Sequence, residues 1–238
     1  MTRTPNTDPA FDHYAASYDE DLNYALAVTG AEKDFFAQNR IAWLAGCLHS
    51  LSERPQNGMD YGCGNGSSSP LLLSTLGLDA VVGVDVSPAI IAKARESYEA
   101  TNIRFSTVTE PLPSGDLDLV YCNGVFHHID NPGRVEALQY VSRALRVGGL
   151  FSLWENNPWN PATRYIMSRC AFDEDAQMLN VVQTKRLLQR CGFTIVRVDF
   201  LFIFPEFLKA LRPLERWVSS LPIGGQYQVL ARKDRLSP

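Results

Sequence analysis

The sequence predicts a doubly wound α/β fold built on a mostly parallel sheet. Three observations predict it. Short apolar, β-branched runs alternate with segments of helical spacing, the first of those runs ends in a cluster of glycines, and the second ends on an acid. Runs without polar alternation belong to strands buried on both faces, and strand–helix alternation demands parallel crossovers with helices on each side.

The opening stretch, residues 1–30, carries Phe11, Tyr14, Tyr18 and Tyr24 among acidic and small residues and reads as a lid. Over residues 31–52, Phe36, Ile41, Trp43, Leu44, Cys47, Leu48 and Leu51 recur at helical spacing until Ser52-Glu53-Arg54-Pro55 breaks the pattern. Residues 56–154 form the core. A short strand at Met59–Tyr61 leads through a glycine turn into a helix that tolerates Pro70 in its first turn. Ala80–Val86 is the second strand, and Ser87-Pro88 caps the helix after it. Strands follow at Ile103–Thr107 and Leu117–Cys122. A helix opened by Asn131-Pro132 turns Val135, Leu138, Val141 and Leu145 inward and ends at Gly148-Gly149, before a fifth strand at Leu150–Trp154.

Residues 155–238 supply the substrate-side segments. They include a helix at Thr184–Cys191, strands at Phe193–Phe204 and Gln226–Arg232, and a helical insertion at 205–220 between those strands. Phe200, Phe202 and Phe204 fall on one strand face and Leu201 and Ile203 on the other, so this strand is expected to be interior. Phe207, Leu208, Leu211, Leu214 and Trp217 continue at helical spacing and either pack on the sheet or roof a pocket with the lid. The 238 residues therefore suit one domain with an insertion.

Composition narrows the function classes. An apolar share of 45% against 20% charged residues describes a chain with a core of its own rather than a disordered one. The net charge of −4, with Lys and Arg scattered, leaves no basic stripe to follow a phosphate backbone, so a small molecule is the expected partner rather than nucleic acid. The five cysteines are odd in number, lie far apart and contain no Cys-x-x-Cys pair, so neither a disulfide framework nor a zinc site is indicated. Residues 1–9 are polar with two prolines, and no apolar run approaches the roughly 20 residues of a membrane span; the cytoplasm is the expected location, with no integral membrane association.

The chemistry concentrates at strand ends, where open parallel sheets bind their ligands. Asp60-Tyr61-Gly62-Cys63-Gly64-Asn65-Gly66 forms a turn whose backbone can approach a ligand closely. Nineteen residues after Gly66, Asp85 ends the second strand and can accept both hydrogen bonds of a ribose diol. A dinucleotide fingerprint needs glycine or alanine at position 67, where this chain has Ser67.

Through Asp60-x-Gly62-x-Gly64-x-Gly66, Gly83-Val84-Asp85-Val86-Ser87, Leu112-Pro113 and Asp118-Leu119-Val120 leading to Val125-Phe126-His127-His128, the chain resembles the class I S-adenosylmethionine-dependent methyltransferases. The resemblance implies a Rossmann-like sheet ending in an antiparallel hairpin, with S-adenosyl-L-methionine as cofactor. It implies that the glycine loop holds the methionine end, that Asp85 binds the ribose and that Val86 packs on the adenine. The cofactor-binding set expected is Tyr18, Asp60, Gly62, Gly64, Gly66, Asp85, Val86 and Asn123. The acid such proteins often set against the adenine amino group is missing, its place falling on Val108.

Methyl transfer from a sulfonium is an in-line displacement in which positioning supplies most of the rate and a base is optional. His127 and His128 are the candidate bases, against the alternative that they pack beneath the cofactor. In Trp154-Glu155-Asn156-Asn157-Pro158-Trp159, Glu155 is a candidate to bind or deprotonate the acceptor, Asn156 and Asn157 to orient it, and Trp154 or Trp159 to wall it; the alternative is an Asn-Pro turn that satisfies its own backbone. Asp173-Glu174-Asp175 reads as a solvated helix start, and no metal is expected. The acceptor expected is a small or lipid-linked molecule with an apolar part. A nicotinamide-dependent oxidoreductase and a catalytically inactive nucleoside-binding protein are the competing functions.

Overall fold

The computed structural model describes residues 33–110, 115–170, 173 and 176–234. The lid with Tyr18, together with Leu112, Pro113, Glu174 and Asp175, lies outside the described residues. The elements run α1 (Lys33–Ser50), β1 (Asn57–Tyr61), α2 (Ser68–Leu76), β2 (Ala80–Asp85), α3 (Pro88–Tyr98), β3 (Ile103–Thr107), β4 (Leu117–Asn123) and α4 (Asn131–Ala144). They continue with β5 (Leu145–Asn156), α5 (Pro161–Met167), α6 (Val181–Arg190), β6 (Phe193–Leu201), α7 (Glu215–Val218) and β7 (Gln226–Lys233). Single-turn and longer 3₁₀ segments occupy Phe126–His128 and Glu206–Leu214.

The seven strands form one sheet in the order β3-β2-β1-β4-β5-β7-β6. The first five pair in parallel, and β7 is antiparallel to both β5 and β6. Two antiparallel steps leave β6 pointing the same way as β5, so its carboxyl end reaches the ligand-binding edge. The chain order reverses between β1 and β4, which makes that pair the switch point where such sheets hold ligands.

Pleating explains how each strand feeds two cores. Val120 and Cys122 of β4 pack with Leu138 and Val141 of α4 and Leu188 of α6. Leu119 and Tyr121 face the other way, against Ile41, Leu44 and Leu48 of α1. Polar residues before β1 do not prevent the strand from starting at Asn57. Asp118 of the neighbouring strand accepts the backbone N–H of Gln56 at 2.8 Å and of Asn57 at 3.0 Å, and is itself held by Arg146 at 2.6 Å.

Local capping matches the expected helix starts: the Ser87 hydroxyl accepts from the Ile90 N–H at 3.2 Å. Helix α6 begins earlier than expected because Asn180 and Gln183 form a reciprocal capping box. Two further expectations are corrected. Gly148-Gly149 does not end α4, which stops at Ala144; both glycines lie inside β5, where pairing with β4 slips between Leu117 and Leu119. Glycine is needed there because a Cβ on Gly149 would sit 2.9 Å from the Arg146 carbonyl oxygen.

The aromatic strand is also shorter than expected. β6 ends at Leu201, and Phe202 adopts φ +61°, so Phe202, Ile203 and Phe204 form a turn rather than an alternating interior strand. The buried Glu215 carboxylate fixes that turn by accepting the N–H groups of Phe202, Ile203 and Phe204 at 3.1, 3.0 and 3.1 Å. Leaving such donors without an acceptor costs about 1–3 kcal/mol each where they are shielded from water. Glu215→Ala is therefore expected to lower the unfolding free energy by about 2–4 kcal/mol in urea titrations, with Glu215→Gln intermediate; an unchanged midpoint would show that water replaces the carboxylate.

Candidate active site at the carboxyl ends of the parallel strands

The glycine turn after β1 has the conformation its residues permit. Gly62, Gly64 and Gly66 have φ of +71°, +53° and +83°, the left-handed region that side chains disfavour. A Cβ on Gly62 would lie 2.2 Å from Val125, so the absence of a side chain lets the turn lie directly against the segment leaving β4. Asp85 organises the other side. One carboxylate oxygen accepts the Gly64 N–H at 3.0 Å and the other accepts the Ser87 N–H at 3.1 Å. A carboxylate at a strand end is the chemistry that accepts the hydrogen bonds of a ribose diol.

Asn123 ends β4 beside this turn. Its Oδ1 is buried and has no hydrogen-bond donor among the described residues. An orphaned acceptor of that kind fits a ligand that brings its own donor, such as the ammonium of an amino-acid moiety. The glycine turn, Asp85 and Asn123 thus fit the two polar ends of S-adenosylmethionine, and Val86 follows directly at the end of β2. Asp60 is different: it is 3% exposed and its carboxylate accepts from the Ser69 hydroxyl at 2.9 Å, tying β1 to the start of α2.

The three expected catalytic residues come together, joined by one more that was read as solvated. His127 Nδ1 lies 2.6 Å from Glu155 Oε2, and Glu155 Oε1 accepts the Phe126 N–H at 2.8 Å. Asp173 Oδ1 stands 3.4 Å from Nε2 of both His127 and His128. Its side chain is 7% exposed, so Asp173 does not belong to a solvated acidic run. Burial alone would push the His127 imidazole down, but the Glu155 and Asp173 carboxylates outweigh it and raise its pKa to about 10. Burial and the neighbouring His127 push His128 down to about 4.

Arg134, which sequence reasoning did not single out, clamps this turn. Its guanidinium donates to the carbonyl oxygens of Phe126 and Gln177 at 2.9 and 2.7 Å, while the Gln177 N–H donates to the His127 carbonyl at 2.7 Å. The segment carrying Asp173 is thereby fastened to the histidines. Only the inward spacing of α4 could have hinted at Arg134, and it gave no reason to expect a charged group there.

The other polar residues after β5 mostly serve the backbone. Asn157 is 1% exposed, donates to the carbonyls of Pro222 and Gly224 at 3.1 and 2.8 Å, and accepts the Trp159 N–H at 3.1 Å. Asn156 accepts from Gln226, and Trp154 is fully buried against the α1 side of the sheet. Trp159 is 48% exposed. Phe207 and Trp217 of the insertion are 84% and 73% exposed, on a segment that leaves the carboxyl end of β6.

Asp60 gives the site a pH signature. Burial raises its pKa from the ordinary 3.8 to about 7; the Ser69 hydroxyl opposes the rise, Asp85 adds to it and Arg40 opposes it, with Cys63 and Tyr121 also facing the group. Because the folded pKa exceeds the unfolded one, the stability contributed by protonated Asp60 is complete below about 4 and is lost as pH rises through about 7. Thermal unfolding from pH 4 to 8 is expected to show this decline, and Asp60→Asn to flatten it; a decline of the same size in the mutant would assign it to other groups.

Residues 59–149 match the family model described as a methyltransferase domain. Among curated proteins, the trans-aconitate 2-methyltransferase of Rhodopseudomonas palustris is 26% identical over 58% of this chain and 54% of its own. That of Agrobacterium fabrum is 31% identical over 42% and 39%. The chain spans about half the length of the curated relatives it matches. Among solved structures, a methyltransferase from Thermotoga maritima described as a possible histamine N-methyltransferase superposes with TM-score 0.64 at 18% identity, covering 94% of this chain and 98% of that one. A methyltransferase from Mesorhizobium loti gives 0.55 at 22% identity, covering 76% and 91%. Both share the fold, and the stretch that matches a methyltransferase domain, residues 59–149, contains the glycine turn and the acid at the end of β2.

Proposed function

We propose that the protein transfers the methyl group of S-adenosylmethionine to a small-molecule acceptor by in-line displacement. The observation that carries the reading is the joint seat made by the glycine turn and Asp85, linked through the Gly64 N–H. In this reading Asp85 takes the ribose, the turn lies against the methionine part, and Asn123 Oδ1 accepts from its ammonium. The bound cofactor supplies an electrophilic methyl on a sulfonium; the chain's own residues orient and enclose the acceptor. A nicotinamide ligand suits the seat less well because Ser67 replaces the small residue that lets a dinucleotide-binding helix pack closely. An inactive binding protein would leave the cluster beside the seat without a role.

Glu155 and His127 are locked to each other at 1% and 3% exposure, so we assign them to positioning. His128, whose side chain is 14% exposed, is the member of the cluster able to touch an acceptor. Next to it lies an open cavity of about 440 Å³ lined by Met167, Met178, Ala176, Cys170, Arg169 and Asp173, among others. Two thioethers and one guanidinium suit an acceptor with an apolar body and an oxygen-bearing head. The relatives' trans-aconitate is a polyanion, which Asp173 in this lining would disfavour. Phe207 and Trp217 offer exposed apolar surface at the same sheet edge for covering such an acceptor.

Losing a charge-assisted pair of hydrogen bonds costs about 1.5–3 kcal/mol, so Asp85→Ala is expected to weaken S-adenosylmethionine binding roughly 10- to 100-fold. Calorimetry with S-adenosylmethionine, S-adenosylhomocysteine and NAD checks the reading. Tight NAD binding, or cofactor affinity unaffected in folded Asp85→Ala, would overturn it.

A further inference from the structure

We propose that His127 Nε2, His128 Nε2 and Asp173 Oδ1 form a binding site for one divalent first-row transition metal ion, with zinc the best match. The three atoms lie within 4.8 Å of one another, and Asp173 Oδ1 is 3.4 Å from each of the two nitrogens. Ligands about 2.0–2.1 Å from a tetrahedral zinc ion stand about 3.3 Å apart, so the spacing to the carboxylate is that of ligands sharing an ion. At 3.4 Å both contacts are long for hydrogen bonds. Asp173 Oδ1 is buried with no hydrogen-bond donor among the described residues, an arrangement that is costly for a carboxylate unless a cation satisfies it.

The surroundings of His127 support the same conclusion independently. A metal-ligating imidazole characteristically donates its other ring N–H to a carboxylate, which fixes the tautomer and the ring plane. His127 is placed to do this through Nδ1, with Glu155 Oε2 as acceptor at 2.6 Å, and the other Glu155 oxygen accepts the Phe126 N–H. Nε2 of His127 is thereby aimed at Asp173. Two imidazoles with one carboxylate select first-row metals such as zinc or iron over magnesium or calcium, which prefer all-oxygen sets.

The cluster also has an entry path, because Asp173 lines the open cavity described above, together with Cys170. Three protein ligands leave at least one coordination position for an outside oxygen. If the methyltransferase reading holds, that position would take the oxygen of the acceptor, which restricts acceptors to molecules bearing a carboxylate, phenol or carbonyl oxygen. The acceptor's place at the ion rests on the proposed function; the ion site does not. The competing occupant is a proton, which would make His127 an imidazolium held between two carboxylates.

The test uses the full chain, stripped of metal by chelator and dialysed, then titrated with ZnCl₂ or CoCl₂ without S-adenosylmethionine. One Co²⁺ per chain with ligand-field absorption of a nitrogen–oxygen site is expected, and Zn²⁺ is expected to displace it and raise Tm. His128→Gln and Asp173→Asn should each weaken Co²⁺ affinity at least about 10-fold, and Glu155→Gln about 10- to 100-fold. Anomalous scattering from zinc-soaked wild-type crystals locates the ion even if a variant fails to fold, with a peak expected between the three named atoms. No saturable binding, equal affinity in the folded variants, or a peak elsewhere overturns the proposal. S-adenosylmethionine affinity measured on the same metal-free protein reports on the methyltransferase assignment separately, so failure of either leaves the other standing.

Discussion

The carboxylate of Glu155 is the constraint on which the turn carrying Phe126, His127 and His128 depends. It is nearly fully buried, where an unpaired charge would cost several kcal/mol, and it is tolerated because both oxygens are used, one by the Phe126 N–H and one by His127 Nδ1. These two bonds reach from the end of β5 to the short turn that leaves β4, fixing that turn, the plane of the His127 ring and the direction of its Nε2. Arg134 and Gln177 hold the turn from the opposite side, so the segment bearing Asp173 is registered to the same point. Remove the carboxylate and the imidazole loses its tautomer, the turn loses an acceptor, and the spacing to Asp173 has no support.

What was legible in the sequence was local. The glycines of the turn after β1 each announce a left-handed backbone, Asp85 follows at a spacing set by one helix and one strand, and Ser87 is an N-cap wherever a helix starts behind it. Strand–helix alternation and the parallel sheet followed from short apolar runs, whereas the antiparallel hairpin was implied only by the family resemblance. Elements went astray where a distant group overrode the local pattern. The run Phe200–Phe204 alternates like a strand, but the Glu215 carboxylate captures its last three N–H groups into a turn. Gly148-Gly149 looks like a helix stop, yet close approach to Arg146 and Leu117 places the pair inside a bulged strand.

The same division runs through the site. His127, His128 and Glu155 stood out singly because each sits at a strand end. Their joint arrangement with Asp173 could not be read, since those contacts join residues far apart in the chain and depend on how α4, β5 and the segment before α6 pack. Asp173 was misleading in sequence for a physical reason: a run of three acids is normally solvated, and only a pair of imidazoles already positioned by Glu155 makes burial of one of them tolerable. Trp154 shows the converse. At a strand end it suggested a pocket wall, but pleating turns it to the opposite face from Glu155, into the packing against α1.

The seat and the cluster are coupled by sterics rather than by charge. Gly62 touches Val125 where any side chain would collide, and Val125 immediately precedes the turn carrying Phe126, His127 and His128. Gly124, beside it, also takes a positive φ, and a Cβ there would lie 3.6 Å from the His127 ring. The backbone of the glycine turn thus lies directly against the residue that precedes the turn carrying the imidazoles. For the in-line displacement proposed above, such close packing serves to hold the two reacting centres in line. A rigid van der Waals contact between the two halves meets that demand at little electrostatic cost, and it explains why the turn after β1 must give up its side chain at position 62 even though a ligand is not what fills the space.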